Sequence, residues 1–219
     1  MYKLRGVLAA AGVMVLLTGC MGGSTPQEMV YNTLEDTVQK EEKLKETQEP
    51  LTKLEEEEQK LFDQAIGLSM KEIDEIRKIA DQALDNISER EDLIKEEVAA
   101  MEDAEEAFQA AESSIEEIED ESLKKEAEEL ANLMNDRFDA HSSMADSYLK
   151  SLASDRELYE ILKKEDLTME ELQAQIEKIN ENYKSTMEFN QTYNQLTEEV
   201  NASKLSFYEK AEIDVNAEA

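Results

Sequence analysis

Glycine placement limits what this chain can fold into more than any other feature. The protein has six glycines, and Gly6, Gly12, Gly19, Gly22 and Gly23 all fall within the first 23 of its 219 residues. Beyond them the chain holds one glycine, Gly67, and two prolines, Pro26 and Pro50. Tight hairpin turns and phosphate-cradling loops need positive-φ positions, which glycine occupies without steric cost. β-rich and α/β folds are therefore nearly excluded, and so are dinucleotide fingerprints and P-loops. Long helices remain.

The N-terminal glycines belong to an address and an anchor. Lys3 and Arg5 precede a ten-residue apolar run, Val7 to Leu16, about half the ~20 residues needed to span a bilayer. A basic start and a short apolar run describe an export signal rather than a membrane helix. The run ends in Leu17-Thr18-Gly19-Cys20, which looks like a bacterial lipobox. Cleavage is expected between Gly19 and Cys20, with the Cys20 sulfur carrying a diacylglyceryl thioether. Several acyl chains on one residue make a stable anchor, where a single chain binds only marginally. Cys20 is the only cysteine, so neither an intramolecular disulfide nor a Cys-based zinc site can form. Residues 1–19 thus read as signal peptide, 20–25 as lipidated Cys and flexible tether, 26–211 as a helical bundle, and 212–219 as a frayed tail.

Helix boundaries are written in capping boxes, in which a Ser or Thr and the Glu three residues on satisfy each other's backbone N–H groups. Thr25 with Glu28 opens helix 1, with Pro26 at its first position. Ser69 with Glu72 opens helix 2, and Thr168 with Glu171 opens helix 4. Pro50 predicts a kink in helix 1, or a break into two helices, since an interior proline costs ~3 kcal/mol. Gly67 is expected to end helix 1 as a left-handed residue. In helix 2, Ile73, Ala80, Ile87, Ile94, Met101, Phe108 and Ile115 recur every seven residues, a seam for coiled-coil-like packing. A second row, Ile76, Ala83 or Leu84, Val98, Ala104, Ala111 and Ile118, is less regular. A polar turn near Glu119 to Ser122 separates helices 2 and 3. The expected fold is all-α: an elongated up-down-up-down bundle of four long helices.

Chemistry-bearing residues are few. The single histidine, His141, lies on the row Ala127, Met134, His141, Tyr148 and reads as a polar core residue rather than a metal or haem ligand. Di-iron bundles need two Glu-x-x-His elements, and Phe138 stands three residues before His141. No catalytic residue, metal site or cofactor is expected beyond the lipid on Cys20. Against 54 acidic residues stand 23 basic ones, a formal charge of −31, which argues against nucleic acid as a partner. Two stretches depart from this acidity. Ser185 to Phe207 has four charged residues in 23, and His141 to Ser154 has two in 14. A fold-back of helices 3 and 4 would juxtapose them, making Ser142, Ser143, Asn190, Gln191, Tyr193 and Asn194 a candidate partner-facing patch.

The lipobox followed by four long helices resembles the YkyA-type family of Gram-positive lipoproteins named for cell-wall binding. Similar segments are Gln48-Glu49-Pro50-Leu51, Gly67 to Glu72, Ser88-Glu89-Arg90-Glu91, Asp166 to Leu172, and Lys178-Ile179-Asn180 with Tyr183. These are caps and seams, and only Cys20 transfers with a clear role. The resemblance implies a non-enzymatic lipoprotein that binds or spaces cell-wall polymer on the outer membrane face. The alternative is a helical scaffold or regulator for a surface protein such as a wall hydrolase. Oligomeric state stays open. The tether spans at most ~20 Å, so the acidic helix 2–3 turn should lie near the headgroups and be repelled by them. The bundle is then expected to project into the wall zone.

Uncompensated negative charge destabilises a compact chain by self-repulsion. Added salt or Mg²⁺ is expected to raise the Tm, and a melt indifferent to ionic strength would contradict this.

Overall fold

The computed structural model describes residues 24–213. The expected export signal, the expected cleavage position at Gly19–Cys20, Cys20 itself and most of the expected tether lie outside the described residues, as do residues 214–219. Within them the chain forms four α-helices and one 3₁₀ turn: α1 (Pro26–Gly67), the turn (Met70–Glu72), α2 (Ile73–Glu116), α3 (Glu121–Leu162) and α4 (Met169–Lys210). No strand occurs among the described residues. No described helix is long and apolar enough to cross a membrane.

The capping residues start helices as their chemistry requires. Thr25 N–H donates to Glu28 Oε2 at 2.7 Å, and Glu28 N–H donates back to Thr25 Oγ1 at 3.3 Å. At α4, Thr168 N–H donates to Glu171 Oε2 at 3.0 Å and Glu171 N–H to Thr168 Oγ1 at 3.2 Å. Asp120 caps α3, accepting the Ser122 and Leu123 N–H groups, each at 2.9 Å.

Of the two alternatives at Pro50, the break does not occur: α1 is one helix of 42 residues that runs through the proline and packs against α2. One expectation is corrected. Gly67 is not left-handed, and among the described residues no glycine has positive φ. It is the last helical residue, and the chain turns on two extended residues, Leu68 (φ −89°, ψ 156°) and Ser69 (φ −92°, ψ 157°). The Glu72 carboxylate then accepts the Ser69 N–H at 3.1 Å, which satisfies the turn without a left-handed residue.

The positive φ falls instead on Glu212, at 55°. Glu212 N–H bonds Glu209 O, and Ile213 N–H bonds Tyr208 O. This is the paired pattern of a Schellman closure, with Ile213 packed on the core beside Tyr208. Glu212 and Ile213 therefore close α4 rather than fray.

α1 pairs closely with α2, α3 with α4, and α2 with α3. α1 and α4 barely approach, so the fourth seam of the bundle is splayed. Apolar side chains gather in two clusters. One, near the α2–α3 turn, includes Leu34, Phe108, Leu130, Phe138 and Phe207. The other, near the α1–α2 and α3–α4 turns, includes Leu61, Ile79, Ile87, Leu152 and Leu162. Each fully buried side chain of this size contributes ~1.5–3 kcal/mol. Between the clusters the interior turns polar.

A Cβ on Gly67 would meet nothing within 4 Å. Gly67→Ala is therefore expected to stabilise the fold by roughly 0.5 kcal/mol through lost unfolded-state entropy. A left-handed residue would give the opposite sign in the same denaturant titration.

Candidate functional site

The polar waist is built from the heptad rows. The second row of α2 reads Ile76, Ala83, Arg90, Glu97, Ala104 and Ala111, and continues at Ile118 in the turn beyond it, all buried. Leu84 and Val98, candidates for that row, are only half-buried. Arg90 and Glu97 thus replace apolar residues at mid-helix. α3 follows suit, with Ala127 and Met134 giving way to His141, Tyr148 and Asp155 before Leu162.

Arg90 is 1% exposed, and guanidinium keeps its charge at any physiological pH, so acceptors must come from other helices. Nε and Nη2 donate to the Tyr148 hydroxyl at 3.0 and 2.8 Å, and Nη2 also donates to Tyr183 at 2.9 Å. Each hydroxyl passes its own hydrogen to a carboxylate. Tyr148 donates to Glu55 at 2.6 Å and Tyr183 to Asp155 at 2.6 Å. Tyr159 donates to Glu58.

A second layer surrounds Arg137, 6% exposed. Its Nη1 and Nη2 form a fork with Glu41, both at 2.7 Å, while Nε donates to Thr197 at 3.0 Å and Nη2 to Tyr193 at 3.1 Å. Arg137 also lies over the Tyr193 ring, 5.2 Å from its centroid. His141 is buried, bonds Glu97 Oε1 through Nε2 at 2.9 Å, and meets the Tyr193 ring edge-on. His141 is thus a partnered core residue. A third bridge, Glu35 with Tyr208 at 2.9 Å and Lys204 at 3.4 Å, ties α1 to the end of α4.

Side chains, not backbones, therefore span the α1–α4 seam, and space is left between them. Two chambers open along it. The first, about 420 Å³, is walled by Leu44, Gln48 and Leu51 of α1, Met144 and Tyr148 of α3, and Tyr183, Met187, Asn190, Gln191, Tyr193 and Asn194 of α4. The second, about 450 Å³, lies toward the α1–α2 turn and holds Glu58, Phe62, Arg90, Asp155, Ile176 and Ile179; Glu55 and Tyr183 line both. Both volumes suit a small molecule or one unit of a polymer.

Of the candidate patch, Asn190, Gln191, Tyr193 and Asn194 stand on the first chamber. Asn190 Nδ2 donates to Met144 Sδ at 3.3 Å, and Asn190 Oδ1 accepts from Asn194 Nδ2 at 2.9 Å. Ser142 and Ser143 are exposed and line neither chamber. Arg90, Glu97, Glu55, Arg137 and Asp155 are site residues that the charge-depletion signal passed over. Polar residues at sevenfold spacing inside an apolar row would have found Arg90, Glu97 and Asp155. Among the described residues no group of three or more His, Cys, Asp or Glu is placed to hold a metal.

The described residues form an all-α antiparallel bundle with a ligand-sized groove, mainly apolar in its first chamber and edged there by amides and tyrosines. Residues 25–210 match the YkyA family, described as "Putative cell-wall binding lipoprotein". The chain belongs to this lipoprotein family. It is 32% identical over 203 residues to the "Uncharacterized lipoprotein YkyA" of Bacillus subtilis (strain 168), covering 93% of this chain and 91% of the relative. It also resembles the crystal structure of a conserved protein of unknown function from Staphylococcus aureus. There the TM-score is 0.60 at 19% identity, over 86% of this chain and 98% of that one, a likeness of fold.

Burial raises the Asp155 carboxyl from 3.8 to about 6; the Tyr183 hydrogen bond opposes this and Glu58 reinforces it. The folded state therefore holds more protons than the unfolded one between those values. Stability from this group rises as pH falls through that window, by at most about 3 kcal/mol at ~1.4 per unit. The exposed caps Glu72 and Glu171 are lowered by backbone hydrogen bonds from Ser69 and Thr168, and lose that benefit in stronger acid. Tm is expected to climb from neutrality toward about pH 5, and the climb should be shallower in Asp155→Asn. Parallel curves for the two proteins would refute the assignment.

Proposed function

We propose that the chain is anchored through lipidated Cys20, after cleavage behind Gly19, on the outer face of the cytoplasmic membrane. It holds a segment of cell-wall polymer in the α1–α4 groove. The observation that carries this reading is the first chamber. It gathers neutral amides and tyrosines from α4 opposite Gln48 and Leu51 of α1, in a protein whose formal charge is −31. Amide donors and acceptors, with aromatic faces, suit sugar hydroxyls and peptide groups, which carry no charge to be repelled. The family description, with its cell-wall binding, points the same way. The role is binding or spacing rather than catalysis: the polar residues of the waist are already committed to one another.

A protein partner, the scaffold or regulator reading, is favoured by one feature. Met187 (64% exposed) and Phe189 (41%) stand on α4, and Met187 borders the groove. Exposed Met and aromatic side chains suit a protein surface better than a glycan.

Purified peptidoglycan and whole surface extracts separate these readings. Retention on peptidoglycan alone, weakened several-fold by Asn190→Ala with Asn194→Ala and unchanged by Ser142→Ala with Ser143→Ala, is the expected result. Retention only from extracts would favour the protein partner, and no retention on either would overturn both.

A further inference from the structure

α4 turns polar residues inward and leaves apolar ones on the seam. Between Met169 and Glu199 only Asn182 and Thr186 of this helix are buried. Asn182 donates to Ser154 Oγ at 2.7 Å, and the Thr186 hydroxyl pairs with Ser147 and Ser151 at 3.0 and 3.1 Å. Ile176, Ile179, Tyr183 and Met187 follow one another at helical spacing and share the adjoining face. All four line the chambers, and none is buried.

The opposite wall is α1, which presents Leu44, Leu51 and Phe62, the last two half-buried. The chambers share Glu55 and Tyr183 and so join into one trough. Leu44 to Phe62 on α1 and Ile176 to Asn194 on α4 each rise about 27 Å, the length of a helix of ~18 residues. Apolar stripes on two antiparallel helices that do not close on each other leave a groove in which an amphipathic helix can bury its own stripe.

Charge selects the occupant. Arg90, Glu97 and Asp155 are committed inside the waist, while Glu55 and Glu58 stand half-buried along the α1 wall. By helical spacing, the exposed charged residues outside the stripes are Lys45, Glu56 and Asp63 on α1 and Glu177, Lys184 and Glu188 on α4. Lys184 is paired with Glu188, so the rims are net negative, in a protein whose formal charge is −31. A second copy of this chain would bring the same negative surface and be repelled. The complement is a helix that is apolar on one face and basic on the other. We propose that the α1–α4 trough docks a basic amphipathic helix of a partner protein. Its apolar stripe lies on Ile176, Ile179 and Met187 of α4 and on Leu51 and Phe62 of α1. Its Lys or Arg stems cross the walls and carry their charges to the acidic rims. This names the partner class for the protein-partner reading and rests on that reading.

Chain 20–219 carrying Cys20→Ser holds every described residue and needs no detergent. A labelled synthetic helix of ~18 residues, Leu on one face and Lys on the other, would be titrated by fluorescence anisotropy at ~0.15 M salt, where long-range attraction is screened. Saturable binding of one peptide per chain is expected. A Leu/Glu helix, and a scrambled Leu/Lys peptide with no apolar face, should each bind roughly tenfold more weakly or worse. Met187→Glu with Ile176→Glu should weaken the Leu/Lys helix by a similar factor, although the added negative charge would strengthen a merely ionic attraction. Leu205→Glu, at an exposed position of α4 outside the trough, should not weaken it. Circular dichroism would establish that the variants are folded. The proposal is overturned by equal binding of the Leu/Glu helix or of the scrambled peptide, by undiminished binding to the folded Met187/Ile176 variant, by loss in Leu205→Glu, or by no binding at all. The protein-partner reading fails on separate ground, the absence of retention from surface extracts.

Discussion

Burial of a permanent positive charge at mid-bundle is the constraint on which the rest depends. Arginine cannot shed its charge to suit an apolar interior, so Arg90 obliges three other helices to supply oxygen. Tyr148 of α3 and Tyr183 of α4 accept from it, and donate in turn to Glu55 of α1 and Asp155 of α3 respectively. Arg137 imposes the same demand one layer away, met by Glu41, Tyr193 and Thr197. Long polar side chains thus cross the α1–α4 seam where short apolar ones would pull the helices together. The groove follows from that substitution.

Stability and specificity are divided between different parts of the bundle. The two apolar clusters at its ends supply the burial that holds four long helices together. The waist adds little net stability over an apolar equivalent, because both partners of each buried pair must be desolvated. What the waist adds is register: a shift of α1 by one turn would strand Glu41 and Glu55 away from Arg137 and Tyr148. Leaving a buried charge unpaired is far more costly than losing an exposed pair.

Much of the fold is legible along the chain because its signals are local. Capping boxes at Thr25 and Thr168 act within one turn of helix, and the structure places helix starts there. The row from Ile73 to Ile115 in α2 shows its seam because its sevenfold spacing is local to the chain. Gly67 misleads because glycine permits a left-handed turn without requiring it; Leu68 and Ser69 turn the chain in extended conformations instead. Pro50 left a kink and a break open from sequence, and α1 runs through it as one helix packed on α2. Of the site, the charge-poor stretch of α4 is visible, and Asn190, Gln191, Tyr193 and Asn194 reach the groove. Ser142 and Ser143 do not, because they stand on the solvent face of α3.

The sequence by itself determined that this protein is helical, where three of its helices begin, and that acidic residues far outnumber basic ones. Composition, caps and periodicity act over a few residues, so no partner helix is needed to read them. Only the tertiary structure decided that α1 and α4 stand apart, that Arg90 and Arg137 lie inside, and which tyrosines and carboxylates meet them. Those pairings join residues 56 to 96 positions apart, such as Arg137 with Tyr193 and with Glu41. Nothing local encodes which of 54 acidic side chains will be folded against a buried guanidinium. That is settled when the four helices meet and each buried charge must find its counterpart.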